Sequence, residues 1–227
     1  MTDLLRVGVF ASGGGTDLQS IIDACESGKV PARVVVVISD RAEAFALERA
    51  RRYGIPAIHI PVAKTGTPGW EEADRKQVET LREYDVQLVC LAGYMRITGP
   101  GLLEAYPRAV MNIHPALLPA FPGVGVQQMA VDYGVKIAGT TVHFAEAEFD
   151  TGPIIIQAVV PVLDTDSGDD LAARILEQEH RIYPQAIKWF AEGRLQVEGR
   201  KVRLLDQRNG QPGPAGIVVN PPLEDDF

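Results

Sequence analysis

The feature that most constrains the fold of this sequence is an alternation between short apolar runs and longer segments with helical spacing, which continues to about Ile156. Apolar runs of roughly four to eight residues are typical of strands, and apolar residues three or four apart are typical of helices. A strand, a helix and a second strand in succession form the βαβ unit of a parallel sheet. The sequence therefore predicts an α/β fold with a mostly parallel, twisted sheet of about seven strands and helices on both faces.

The same alternation predicts the individual elements of a single, Rossmann-like domain. The predicted strands are residues 4–10, 33–39, 57–60, 87–91, 110–113, 137–144 and 154–160, of which the last two are open to an antiparallel arrangement. The predicted helices are residues 16–26, 42–53, 70–83, 126–133 and 169–190. Ser167 is placed to cap the last helix, and Pro184 is expected to kink or split it.

Composition excludes several classes of partner. The formal charge of −8 and a pI near 5.0 provide no overall basic field, so no nucleic-acid partner is expected. The longest uninterrupted aliphatic run, Val34 to Ile38, is far shorter than the roughly 20 apolar residues of a membrane span. The first residues show no secretory signal, so we expect a cytoplasmic protein without a membrane partner. Cys25 and Cys90 lack the spacing of a zinc site or a disulfide framework, and no metal is expected.

A change in composition after Asp206 suggests a domain boundary. The chain becomes rich in proline and glycine and ends in an acidic segment, a composition that buries little apolar surface. We therefore predict one domain over residues 1–206 and a flexible tail over residues 207–227.

Three consecutive glycines, Gly13 to Gly15, follow the first predicted strand and precede a predicted helix. Glycine allows close approach of the backbone to a ligand, and the helix N-terminus offers N–H donors that suit phosphate. A dinucleotide site would need a further glycine where Leu18 stands, although Asp40 lies where an acid would bind a ribose. A phosphate site, a nicotinamide site and a merely geometric turn therefore remain as alternatives, of which the phosphate site is favoured.

Polar residues also end the fifth predicted strand, where open α/β sheets place ligands. The alternation of side chains puts Asn112 and His114 on the same side of that strand. Asp150 lies in a predicted turn before the last strand, where a solvated acid is the default interpretation. The other histidines, His59, His143 and His180, are interpreted as packing or surface residues.

This set of residues favours one kind of chemistry. No serine nucleophile motif and no pair of metal-ligand spacing accompanies it. An Asn-x-His pair with a distant acid fits direct transfer to an amine, because asparagine steadies an oxyanion and histidine exchanges a proton.

Four stretches together resemble a known family. In order they are Ala-Ser-Gly-Gly-Gly-Thr-Asp-Leu-Gln, Leu-Ala-Gly-Tyr-Met-Arg-Ile, Asn-Ile-His-Pro-Ala-Leu-Leu-Pro and Phe-Asp-Thr-Gly-Pro-Ile-Ile-Ile-Gln. They resemble the phosphoribosylglycinamide formyltransferases, a family of folate-dependent enzymes, over residues 5–195. The resemblance implies transfer of a formyl group from 10-formyltetrahydrofolate to the glycine amine of glycinamide ribonucleotide, in purine biosynthesis. These two small molecules would be the partners.

The resemblance also implies roles for particular residues. His114 corresponds to the general acid and Asp150 to the acid that orients it, with Asn112 beside them. The ribonucleotide positions are Gly15, Thr16 and Asp17 for the phosphate and Glu179 for the ribose. The folate positions are Met95, Arg96, Ile97, Thr98 and Asn112.

Three positions depart from the family pattern. Asp17 stands where asparagine is frequent, so we expect only its backbone N–H to contact phosphate. Gly125 stands where histidine is common, and Trp70 lies near the place of a folate-contacting arginine in some members. Related alternatives are another folate-dependent formyltransferase or a formyltetrahydrofolate hydrolase, and an unrelated one is a nucleotide-binding module. The sequence leaves the choice between a monomer and a homodimer open.

Overall fold

The computed structural model describes residues 3–206 and 218–227. The chain divides into two compact units, Met1–Asn112 and Ile113–Phe227. The strand β5 crosses the boundary between them, with Asn112 as the last residue of the first unit.

The first unit is a parallel α/β sheet in the order β3-β2-β1-β4-β5. β1 is a central strand of this sheet. Val7 and Val9 on one face and Phe10 on the other are all fully buried, as is typical of a parallel sheet that is covered on both faces. The elements are β1 (Leu5–Phe10), α1 (Thr16–Glu26), β2 (Ala32–Ser39), α2 (Phe45–Arg52), β3 (Ala57–His59), α3 (Pro68–Glu83), β4 (Leu88–Leu91), α4 (Pro100–Ala105) and β5 (Val110–His114).

The second unit is built on an antiparallel pair and one long helix. β6 and β7 pair antiparallel, β8 and β9 form a hairpin, and β9 and β10 each pair with β7. The elements are α5 (Val126–Tyr133), β6 (Ile137–Phe144), β7 (Ile154–Pro161), α6 (Gly168–Ala191), β8 (Leu195–Glu198), β9 (Lys201–Leu204) and β10 (Val218–Asn220). The antiparallel arrangement of β6 and β7 matches the expectation.

All seven predicted strands and all five predicted helices are present, with ends displaced by at most three residues, at the start of α2. The predicted number of strands is wrong, because the described residues form ten. The additional strands are β8, β9 and β10, and α4 is an additional helix. The pairs Leu195/Val197 and Val202/Leu204 alternate with polar residues on either side of Gly199, which has a left-handed φ of 60°. This is a hairpin signal, although each strand is only four residues long.

The helix α6 begins as predicted but does not split. The Ser167 hydroxyl accepts a hydrogen bond from the Asp170 N–H, and the Asp170 side chain accepts one from the Ser167 N–H, which forms a capping box. Of the two expected effects of Pro184, the split is absent, because one helix continues through it. The kink stays a prediction. Ile182, Tyr183 and Ile187 around the proline are fully buried, and this packing outweighs the loss of one backbone hydrogen bond.

Residues 218–227, which belong to the predicted flexible tail, contact β7 and α6. β10 pairs with Gln157 to Val159 of β7, which is explained by its β-branched valines. The carboxylate of Glu224 accepts hydrogen bonds from Lys188 and Arg194, and the backbone N–H of Glu224 donates to the side-chain oxygen of Gln185. Residues 207–217 lie outside the described residues, and the predicted domain boundary stays a prediction.

Among the described residues, no helix is both long enough and apolar enough to cross a membrane. The predicted cytoplasmic location stays a prediction.

Glu224→Gln should destabilise the protein at neutral pH. Burial would raise the pKa of Glu224, but the hydrogen bonds from Lys188 and Arg194 dominate and lower it from 4.5 to about 2. The pairing therefore stabilises the fold above pH 4.5, and this contribution is lost as the pH falls to about 2. We expect a loss of about 1–2 kcal/mol in the free energy of unfolding at pH 7, measured by urea denaturation.

The matched control is Glu198→Gln, which removes the exposed ion pair with Arg203 and should change stability by less than about 0.5 kcal/mol. Equal effects of the two substitutions at pH 7 would contradict the role given to Glu224.

Candidate active site

His114 ends β5 with its imidazole buried and oriented at both nitrogens. Nε2 lies 2.8 Å from the carbonyl oxygen of Phe121, which only accepts hydrogen bonds, so this nitrogen carries a hydrogen. Nδ1 lies 3.5 Å from Oδ2 of Asp150. The backbone is held as well, since the Thr140 hydroxyl donates to the His114 carbonyl at 3.0 Å. The ring therefore has a fixed position within the second unit.

Asp150 is buried, with 7% of the residue exposed, which differs from the solvated turn acid expected by default. Its backbone has a left-handed φ of 54°, a conformation that aspartate tolerates better than most residues. The Gly123 N–H donates to Oδ2 at 3.1 Å, the same oxygen that faces His114. A buried carboxylate needs such partners, and here they come from the loop before α5 and from the end of β5.

His143 is a member of this cluster that sequence reasoning missed. Its Nε2 lies 3.8 Å from Oδ1 of Asp150, and its Nδ1 lies 2.9 Å from the Phe144 carbonyl. Burial lowers the pKa of His143, which favours the neutral ring with its hydrogen on Nδ1. Asp150 thus lies between two imidazoles. The available signal was the short sequence distance between His143 at the end of β6 and the turn that leads into β7.

Asn112 lies on β5 opposite Leu91 of β4, as the predicted strand requires. It lies two positions before His114 along the strand, with Ile113 between them, which is the spacing that puts side chains on one face. Its role in the site stays a prediction.

The glycine turn precedes α1 as predicted, and one of its glycines is required by geometry. Gly15 has a left-handed φ of 69°, and a Cβ there would come within 2.8 Å of the Ala46 side chain. A Cβ on Gly13 or Gly14 would meet nothing within 4 Å. Those two positions therefore face open space, and packing of the turn does not require glycine there.

The carbonyl groups of the turn accept hydrogen bonds from residues of α2. The Ala46 N–H donates to the Gly13 carbonyl at 3.0 Å, and Nε of Arg49 donates to the Gly14 carbonyl at 2.7 Å. Peptide carbonyls that point towards α2 leave the N–H groups directed elsewhere, as a phosphate cradle requires. Arg49 also brings a positive charge to the turn, which sequence reasoning had not assigned.

Asp17, in the first turn of α1, has a buried side chain. Burial raises the pKa of Asp17 from 3.8 to about 7. The helix N-terminus favours negative charge, but the desolvation of this carboxylate is the larger effect. Near neutral pH the group is therefore partly protonated, which weakens the objection to a carboxylate beside phosphate.

Residues 95–98 form the loop after β4, and hydrogen bonds attach it to the ends of β1 and β2. The Met95 N–H donates to the Ser12 hydroxyl at 2.8 Å, and that hydroxyl donates to Asp40. Nε of Arg96 lies 2.7 Å from the other oxygen of Asp40. Met95 and Ile97 expose about half of their surface, 59% and 48%. Asp40 is thus engaged by Ser12 and Arg96, which argues against the nicotinamide alternative.

The two remaining positions lie in the second unit. Glu179, on α6, is buried, and its Oε1 lies 3.2 Å from the Thr140 hydroxyl oxygen. Gly125 is the N-cap of α5 with a left-handed φ of 70°, which a histidine would adopt only with strain. The left-handed backbone at position 125 therefore favours glycine over the histidine that is common in the family.

The structure thus brings Gly15, Thr16 and Asp17 into one turn, residues 95–98 into one loop, and His114 and Asp150 into one buried pair. Within residues 3–206 and 218–227, no group of three or more His, Cys, Asp or Glu side chains could hold a metal ion. The predicted absence of a metal stays a prediction.

An open α/β sheet with a glycine turn and a buried histidine–carboxylate pair at strand ends is typical of enzymes that act on small molecules. The family model described as "Formyl transferase" matches residues 5–187, across both units. The chain belongs to the formyl transferase family and is an enzyme of formyl transfer.

Known proteins support this assignment. Phosphoribosylglycinamide formyltransferase of Escherichia coli is 44% identical over 204 residues, which cover 90% of this chain and 95% of that protein. Glycinamide ribonucleotide transformylase 1 from Symbiobacterium toebii has a TM-score of 0.86 and 54% identity, with 91% of this chain and 96% of that chain covered. A formyltetrahydrofolate deformylase from Pseudomonas syringae has a TM-score of 0.84 and 28% identity, with 90% and 67% covered.

These likenesses confirm the predicted Rossmann-like class, in which helices cover both faces of a mostly parallel sheet.

Asp17→Asn should remove a pH-dependent destabilisation. Because the pKa of Asp17 is higher in the folded chain than its usual 3.8, the folded state binds more protons between that pH and about 7, and stability falls as the pH rises through this range. We expect the variant to melt a few degrees higher than the wild type at pH 8, with the difference vanishing near pH 4.

Glu26→Gln, an exposed position on the same helix, serves as the control and should follow the wild type at every pH. If the difference in melting temperature between Asp17→Asn and the wild type were the same at every pH from 4 to 8, the burial of a titrating carboxyl group would be contradicted.

Proposed function

We propose that this chain transfers the formyl group of 10-formyltetrahydrofolate to the glycine amine of glycinamide ribonucleotide, a step of purine biosynthesis. Relatives that match nearly the whole chain carry that name. The single observation that carries the mechanism is the buried pair of His114 and Asp150, in which one imidazole nitrogen faces a carboxylate and the other holds a hydrogen on a carbonyl oxygen.

The ribonucleotide phosphate would bind at Gly15, Thr16 and Asp17. The open space beside Gly13 and Gly14, the helix N-terminus and the guanidinium of Arg49 all favour an anion there. Glu179 would accept hydrogen bonds from the ribose hydroxyls, because a carboxylate oxygen accepts from such donors.

The formyl donor would bind at residues 95–98 with Asn112. The half-exposed side chains of Met95 and Ile97 offer apolar surface, and the backbone of the loop is fixed by Ser12. An apolar, preorganised surface suits a planar ring system.

The reaction begins when the amine nitrogen of the ribonucleotide attacks the formyl carbon and a tetrahedral oxyanion forms. The side-chain amide of Asn112 and an N–H of His114 donate hydrogen bonds to that oxygen. The amine nitrogen loses a proton, the carbon–nitrogen bond to the folate breaks, and the folate nitrogen gains a proton. Asp150, at Nδ1 of His114, keeps the ring oriented while these protons move.

The Phe121 carbonyl has a defined part in this scheme. It accepts the hydrogen of His114 Nε2 at 2.8 Å, which is the interaction that a formyl oxyanion would also make. Phe121 itself has a left-handed φ of 50°, which is costly for an aromatic residue. Substrate binding would replace this carbonyl by the formyl oxygen. Relaxation of the strained backbone at Phe121 would then offset part of the free energy lost with the hydrogen bond to its carbonyl.

A second candidate function is hydrolysis of formyltetrahydrofolate, favoured by the likeness to a deformylase. The same histidine–carboxylate pair would then activate water rather than an amine. Formate release in the absence of ribonucleotide would distinguish the hydrolase from the transferase.

Asn112→Ala and His114→Ala should each lower kcat by about 10²- to 10³-fold, because each removes one donor to the oxyanion. Asp150→Asn should lower kcat as well, while the KM for the ribonucleotide stays within about twofold, since its phosphate is proposed to bind at the glycine turn. Steady-state kinetics with both substrates measure these effects.

His59→Asn is the matched control, because this histidine lies on β3 with its residue exposed and should retain wild-type kcat. Near-normal turnover by His114→Ala would rule out the proposed mechanism.

A further inference from the structure

One face of α3 carries three polar or aromatic residues that all contact the segment following β4. Trp70, Asp74 and Gln77 are spaced four and three residues apart, which places them on the same side of a helix. Each of them donates or accepts a hydrogen bond within residues 94–102. The proposed folate loop, residues 95–98, lies inside this segment.

Gln77 fixes the start of the segment. Its buried side-chain amide donates to the Tyr94 hydroxyl at 2.9 Å. The Tyr94 ring meets the Phe10 ring edge to face, with centroids 5.2 Å apart. Tyr94 is therefore held between α3 and the end of β1.

Asp74 fixes the end of the segment. Its buried carboxylate accepts the N–H groups of Gly101 and Leu102, at 2.8 and 3.1 Å, in the first turn of α4. Gly99, the N-cap of α4, has no side chain to cap that helix, and a Cβ there would overlap the Asp74 carboxylate. Asp74 thus caps α4 from another helix, at a site shaped to receive it.

Trp70 contacts the middle of the segment. Its indole Nε1–H donates to the Ile97 carbonyl at 3.3 Å. Unlike Asp74 and Gln77, which are buried, Trp70 is half-buried and its acceptor residue is 48% exposed. A hydrogen bond at this exposed place contributes little to folding, but it determines where Met95 and Ile97 present their side chains.

We propose that α3 positions the loop that binds the formyl donor, and that Trp70 is a positioning residue which sets affinity for the planar folate ring system. This inference rests on the proposed function. Ser12 holds the Met95 N–H from one flank and Trp70 holds the Ile97 carbonyl from the other. With both flanks fixed, the apolar side chains are preorganised, and less conformational entropy is lost when the ligand binds.

The test is Trp70→Phe, which keeps an aromatic ring and removes the indole N–H. We expect the KM for 10-formyltetrahydrofolate to rise about three- to tenfold, the effect of losing one hydrogen bond. The kcat and the KM for the ribonucleotide should stay within about twofold, and the melting temperature should be unchanged. Calorimetric titration with tetrahydrofolate, which does not react, should show the same fold-loss of affinity.

Glu79→Gln is the matched control, because Glu79 lies on the opposite side of α3 in an exposed i,i+4 pair with Arg75. It should leave both KM values at their wild-type level.

The outcomes separate this inference from the proposed function. If the wild type binds and turns over both substrates while Trp70→Phe has an unchanged KM for the formyl donor, the inference alone is overturned. A fall in kcat, or an equal rise in both KM values, would show a general structural role and also overturn it. A wild type that neither binds tetrahydrofolate nor consumes the formyl donor would overturn the proposed function and this inference together.

Discussion

The buried carboxylate of Asp150 is the interaction on which the arrangement of the proposed catalytic groups depends. An ionised carboxylate removed from water costs several kcal/mol unless partners replace its hydration. Here those partners are the Gly123 N–H, His114 and His143. They come from the loop before α5, the end of β5 and the end of β6. Satisfying one charge therefore brings three separate parts of the second unit together.

The same interaction fixes the orientation of His114, the proposed catalytic histidine. Asp150 lies at one nitrogen of His114 and the Phe121 carbonyl lies at the other, so rotation of the ring would sacrifice contacts on both sides. The protein thus holds an oriented proton donor before any substrate arrives, which is the preorganisation that favours a developing oxyanion. Both groups that hold the ring belong to turns with left-handed backbone, at Phe121 and Asp150.

Much of the fold could be predicted from the sequence because its apolar periodicity is regular. The five parallel strands and the helices α1, α2 and α3 follow from it, and so does the capping of α6 by Ser167. The hairpin of β8 and β9 was missed because four-residue strands give little pattern. The attachment of residues 218–227 depends on a distant partner strand and on Lys188, which no local pattern reveals.

The candidate site could be predicted only in part. The spacing of Asn112 and His114 on a strand indicated chemistry directly, whereas Asp150 acquired a role only through resemblance. His143 looked like a packing residue, because a lone histidine on an apolar strand usually is one. The sequence shows Trp70 only as a departure from the family pattern. Its contact with Ile97 could not be predicted, because the two residues are far apart in sequence.

The fate of the formyl group distinguishes direct transfer to the amine from hydrolysis. The protein would be mixed in excess with 10-formyltetrahydrofolate labelled in the formyl carbon, together with glycinamide ribonucleotide, and the products of a single turnover separated. If the amine attacks the formyl carbon directly, the label appears on the ribonucleotide, and no label is released when the ribonucleotide is omitted. Label recovered as formate, with or without the ribonucleotide, would contradict direct transfer to the amine.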